Sequence, residues 1–185
     1  MESHKDIFVR HNKLFKSLSS LPEKILEAHH HEKLTELVLY ELSHPDCFNF
    51  SKAAYFINNP DFNHLHGIAG FHKADHNLSS TQNIWQEPEA LHNAMDASAF
   101  HKKVREIKKD CIGKECIEFE GEKNNNAITC LGEELHFVNP SHFSWKTKHN
   151  NQAILLFEHE NSSEKEAYSE ELLRTVSLLG FCGIY

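Results

Sequence analysis

The chain has 185 residues, with 19 Lys and Arg against 27 Asp and Glu, a formal net charge of −8. Only Arg10, Arg105 and Arg174 are arginines, which argues against nucleic-acid binding, because phosphates need clustered cations and base reading favours Arg. Hydrophobic residues make up 39%, yet no run approaches the ~20 apolar residues of a bilayer span. The opening Met1 to Asp6 also lacks the apolar core of a secretory signal.

In chain order, Ile7, His11, Leu14, Phe15 and Leu18 recur at helical spacing and predict a first helix. Ser20-Leu21-Pro22-Glu23 carries the Ser and Glu of a capping box. A second helix is therefore expected from there to about Leu42, stopped by Pro45. The two would form an antiparallel hairpin. His29-His30-His31 falls within the second helix, where successive side chains point about 100° apart and cannot share one ion. His31-Glu32-Lys33-Leu34-Thr35 nearly matches H-E-x-x-H, but Thr35 stands where the second histidine is required.

Ala53 to Ile57 and Gly67 to Phe71 are short apolar runs, with a turn signal at Asn58-Asn59-Pro60-Asp61 between them. They fit strands or buried irregular segments. Pro88 is expected to open a helix reaching about Lys109, with Leu91, Met95, Val104 and Ile107 near its buried side. Beyond residue 110 the apolar period shortens to two at Ile117 and Phe119, Leu135 and Phe137, and Phe143 and Trp145. Ala153 to Phe157 is apolar on both faces, as a central strand is. A capping box at Ser163 to Glu166 predicts a last helix ending at Gly180. The expected class is α+β, one domain over residues 1–185. An N-terminal helical hairpin and a further helix would pack on a C-terminal antiparallel sheet of about five strands, followed by a final C-terminal helix.

Histidine is the unusual component, at 16 copies. Asp61, His64, His66, His72, Asp75 and His76 form the densest group of ligand-type side chains. In an extended segment His64 and His66 share a face, and in a helical turn His72 and His76 do. Such a set offers N and O ligands to Zn²⁺ or Fe²⁺ with a position left for water. The leading expectation is a metal-binding protein using His64, His66, His72 and His76, assisted by Asp75 or Asp61, with metal-activated hydrolysis of a small substrate as its natural chemistry. Glu-x-x-His also recurs four times, but a di-iron bundle needs four long helices that the pattern does not supply.

Two rival readings stand beside it. One is a non-catalytic interaction or regulatory module that docks a protein partner or a second copy of itself. The other is an apolar small-molecule pocket beside Phe56 and Phe71, where phenylalanines concentrate. Five cysteines without a C-x-x-C pair argue against a disulfide framework and for a cytoplasmic location. Cys47, close to His44, is the one thiol whose spacing suggests a Cys–His pair.

Overall fold

In the structure, a computed structural model describing residues 4–59, 64–75, 83–110, 124–147, 151–159 and 174–182, the chain opens on helix α1 (His4–Glu27). Leu14, Leu18, Leu21 and Ile25 form its buried stripe. The helix runs through the expected break at Ser20. The Ser19 and Ser20 hydroxyls donate backwards to the carbonyls of Lys16 and Ser17, at 3.1 and 2.9 Å, instead of capping a new helix. Pro22 then sits inside α1. The chain turns only at residues 28–33, so the histidine triplet lies in the turn before α2 (Leu34–Ser43). Nearly every residue of α2 is buried.

Strands β1 (Phe50–Asn59) and β2 (His64–His72) pair antiparallel and form the middle of the sheet. A 3₁₀ turn (Lys73–Asp75) leads away from β2. The expected helix from Pro88 to Lys109 is two helices, α3 (Pro88–Ala97) and α4 (Ala99–Glu106), followed by strand β3 (Lys108–Asp110). The break falls at Ser98, whose hydroxyl accepts the His101 N–H at 3.1 Å and caps α4. Helix α5 (Asn124–Glu134), strands β4 (Ser141–Lys146) and β5 (Gln152–His159), and a 3₁₀ helix (Arg174–Phe181) complete the described elements.

The class is α+β. The five strands are antiparallel in the order β3-β2-β1-β5-β4, so strands from both halves of the chain enter one sheet. This corrects the expectation of a C-terminal sheet. The alternation at Leu135 and Phe137 misled: Ile128, Leu131 and Leu135 are a helical stripe, and Phe137 follows the helix end. The expected strand at Ile117 and Phe119 and the capping box at Ser163 lie outside the described residues.

The sheet is covered on both faces. Ala53, Tyr55, Ile57, Leu155 and Phe157 pack with α1, α2, α3 and the 3₁₀ helix. Ala54, Phe56, Ile154 and Leu156 pack with α4 and α5. On β2 a bulge decides which side chains meet α4. Tyr55 pairs with Ala69 but Phe56 with Gly67, so Ile68 is the extra residue. Gly67 and Gly70 therefore both face α4, although three residues apart they would oppose each other in a regular strand. A side chain at either would collide with Val104, so the glycines set how closely α4 lies on the sheet.

Just beyond helix α5, His136 stands in the left-handed region, at φ 56°. Phe137 N–H bonds the Gly132 carbonyl at 2.8 Å, the closure that usually favours glycine at the preceding position. Buried Lys52 of β1 completes this end. Its ammonium donates to the carbonyls of Leu135 and His136, both at 2.9 Å, and lies 4.9 Å from the ring centroids of Phe100 and Phe137. A cation there meets the negative end of the helix dipole. Lys52→Met should destabilise the protein by about 2 kcal/mol in urea unfolding, the cost of leaving those carbonyls unpaired. A loss under about 0.5 kcal/mol would mean that water replaces the ammonium.

Candidate metal centre

Strand β2 keeps His64 and His66 on one face, their ring centroids 6.4 Å apart. His72 stands six residues beyond His66, roughly 20 Å along an extended strand. One ion cannot reach all three, so the expected four-histidine site is not assembled by this strand. Asp61 and His76 lie outside the described residues. Asp75 has a structural employment: its carboxylate accepts the Ser98 hydroxyl at 2.6 Å and the Phe100 N–H at 3.2 Å, with His72 Nδ1 3.2 Å away. These bonds hold its carboxyl below the usual carboxylate range despite partial burial. Asp75 thus ties the end of β2 to the start of α4.

The two phenylalanines of the expected pocket part company. Phe71 packs on the α2 side of the sheet and Phe56 on the α4 side, so they line no common cavity. Cys47 is buried and its thiol is pushed up to about 12, chiefly by desolvation, which leaves it protonated and unreactive at neutral pH. The interaction-module reading retains a surface: Phe8, Phe15 and Leu26 are exposed along one side of α1. Among the described residues no helix is long and apolar enough to cross a membrane.

A different set of ligand-type side chains does converge. Glu36 of α2, Asp96 of α3 and His101 of α4 bring one ligand atom each to within 4.8 Å of one another. Glu36 and His101 are buried, and Asp96 stands at the exposed rim. His101 Nε2 is 3.5 Å from Glu36 Oε1. Neither Nε2 nor Glu36 Oε2 has a hydrogen-bond partner. The other ring nitrogen, Nδ1, lies 3.2 Å from the Gly70 amide nitrogen and 3.3 Å from the Gly70 carbonyl oxygen. That backbone contact fixes the plane of the imidazole and turns Nε2 toward Glu36. Lys33 closes the rim, its ammonium 2.7 and 2.8 Å from the two Asp96 oxygens.

Each placement follows from local folding. α2 must be apolar to fill the space between α1 and the sheet, and Glu36 is the acidic residue buried within it. α4 lies flat on β2 because Gly67 and Gly70 have no side chains, which sets His101 against the Gly70 backbone. The Ser98 break between α3 and α4 swings Asp96 to the same end.

Burial raises the Glu36 pKa to about 7, opposed by Lys33 and reinforced by Asp96. Burial lowers the His101 pKa to about 4, against a favourable Gly70 contact. At neutral pH the imidazole is therefore uncharged, the form that binds metals, and the carboxyl is close to its titration point. The local density that selected the His64 to His76 cluster could not find this set, because Glu36 lies far in sequence from Asp96 and His101. A carboxylate within the apolar run Leu34-Thr35-Glu36-Leu37-Val38-Leu39 was the available signal.

Comparison with protein-family models, with curated proteins and with solved structures gives no match to this chain, so the function is argued from its own residues.

Proposed function

We propose that the protein binds one divalent transition-metal ion through His101 Nε2 and the carboxylates of Glu36 and Asp96. A spacing supports this most directly. At 3.5 Å, His101 Nε2 and Glu36 Oε1 are too far apart for a good hydrogen bond. Two ligands each ~2.1 Å from a tetrahedral ion lie about 3.4 Å apart, the separation seen here. An ion at that spacing would satisfy His101 Nε2, would reach the unpartnered Glu36 Oε2 if the carboxylate bound through both oxygens, and would displace the Lys33 ammonium from Asp96. One imidazole with two carboxylates suits Zn²⁺, Fe²⁺ or Mn²⁺ and leaves a further position for water.

The ion's work would be to tie α2, α3 and α4 together beside β2. Hydrolysis at that water is the less supported form of the reading, since neither a cleft of about 430 Å³ beside α1 nor one of about 410 Å³ beside α5 is lined by the three ligands. A cytoplasmic setting is supported by Cys130 and Cys182, which among the described residues stand as thiols outside any disulfide.

Titration of untagged, chelator-treated protein with Co²⁺, followed by visible absorption, tests the assignment. One equivalent should bind with a tetrahedral spectrum, and Zn²⁺ should displace it. His101→Ala should weaken binding beyond the roughly 10–100-fold that loss of an outer hydrogen bond costs. His64→Ala with His66→Ala should leave binding unchanged. Should His101→Ala fail to fold, Glu36→Gln serves in its place. Binding that is absent in the parent protein, or indifferent to His101 and Glu36, would overturn the proposal.

A further inference from the structure

Another site is lined by none of the three ligands. A cleft of about 430 Å³ runs between α1, the end of α2 and the turn at residues 83–86. On α1 the positions lining it, Lys13, Lys16, Ser17, Ser20 and Lys24, fall at i, i+3, i+4, i+7 and i+11. That spacing places three ammonium groups along one wall. The facing wall is aromatic, formed by Trp85 and Tyr40, with Ile84 buried beneath.

Glu41 fixes this arrangement and spends its charge doing so. Its Oε2 accepts the Trp85 indole N–H at 3.0 Å, and its Oε1 accepts the Lys24 ammonium at 2.8 Å and the Ser17 hydroxyl at 3.2 Å. Lys24 also lies 5.5 Å from the centroid of the Trp85 ring. The indole is thereby held as a rigid platform with the Lys24 ammonium over one of its faces. Asn83 anchors the base of the turn, its side-chain oxygen accepting the Trp85 N–H at 3.2 Å. Lys13 pairs with Asp46 at 2.8 Å, but both side chains are half exposed and the pair is easily exchanged. Lys16 is exposed and meets no carboxylate among the described residues. Three lysines against Glu41 and Asp46 leave the cleft net positive in a chain of formal charge −8.

We propose that this cleft binds a small aromatic anion, its ring against Trp85 and Tyr40 and its carboxylate or phosphate between Lys13 and Lys16. A flat apolar body and one anionic end match the two walls, and opposing charge elsewhere on the molecule focuses such a ligand toward its local positive patch. The site shares no residue with the proposed metal centre and stands or falls without it.

Calorimetric titration of the full chain with phenyl phosphate, benzoate, inorganic phosphate and benzyl alcohol tests the proposal. Phenyl phosphate or benzoate should bind about fivefold or more tightly than either inorganic phosphate or benzyl alcohol. Which of the two aromatic anions is preferred separates a phosphate from a carboxylate ligand. Lys16→Ala, at an exposed position, should weaken the better anion about fivefold. Trp85→Leu should remove the advantage over inorganic phosphate. Equal binding of benzyl alcohol, equal binding of inorganic phosphate, or no binding of either aromatic anion would each overturn it.

Discussion

Gly67→Ala should destabilise the protein by about 4 kcal/mol and loosen its hold on a metal at the same time. A methyl group at Gly67 would overlap the Val104 carbonyl oxygen and lie 2.8 Å from its carbon. Both are backbone atoms of α4, so no rotamer change relieves the collision. The helix must lift from the strand, straining the Gly67 N–H to Ile107 carbonyl bond of 3.0 Å and the pairing of His66 with Lys108 beyond it. Gly70→Ala provides the internal standard. Its new methyl would meet Val104 Cγ2 at 2.7 Å, Val104 Cβ at 3.1 Å and Phe100 Cε1 at 3.1 Å, side-chain atoms that demand a smaller shift of α4 than its backbone at Gly67 does. Its cost should stay near 1–2 kcal/mol in the same urea titration. If the two substitutions cost the same, the close approach of α4 at Gly67 does not limit stability. Because α4 carries His101, the larger displacement should also lower Co²⁺ affinity, whereas Gly70→Ala should change it little.

That coupling shows which parts of the molecule could be read from the sequence. The class was legible because each helix must bury a stripe: of the residues read at helical spacing, Leu14 and Leu18 are buried in α1, although Phe15 is exposed. Ala153 to Phe157 is apolar on both faces because helices cover β5 on both sides. Boundaries were less legible where serine has two uses. A hydroxyl that can cap a helix can also bond the preceding turn, as Ser20 does, while Ser98, in no recognised box, is the serine that does cap. The strand order was not legible, because pairing of β1 with β5 spans about a hundred residues and leaves no local pattern.

The candidate metal set shows the same limit more sharply. His64 and His66 do share a face, as alternation required, but the ion-binding argument also needed His72 nearby, and a continuous strand carries it away. Density of histidines along the chain measured proximity in sequence only. Glu36, Asp96 and His101 come from three helices whose meeting depends on the β2 bulge and on two glycines chosen for what they lack.

Glu36→Gln should make the metal-free protein more stable, by about 3 kcal/mol near pH 8, and should do almost nothing below pH 4.5. The sign follows from the raised pKa. Unfolded, Glu36 titrates at its ordinary 4.5; folded, burial moves it to about 7. Its contribution is therefore fully present below 4.5 and is lost as the pH climbs through about 7, because the folded protein holds a proton that the unfolded chain has released. His101 runs the other way: its contribution is present above the ordinary 6.5 and is lost as the pH falls toward about 4. Between 4.5 and 6.5 the two slopes cancel in the parent protein. In Glu36→Gln only the histidine slope remains, so stability should fall on acidification across that window where the parent is flat. Urea unfolding of both proteins with chelator present, from about pH 4 to pH 8, reads this directly. A variant less stable than the parent at pH 8 would show that the ionised carboxylate is favoured in the folded protein, held by Lys33, and that its pKa is not raised. Added Zn²⁺ should reverse the order, since ligand binding stabilises only the protein that retains the site. A carboxylate that costs stability until a cation arrives is expected at a binding centre, and a purely structural Glu36 would show no such reversal.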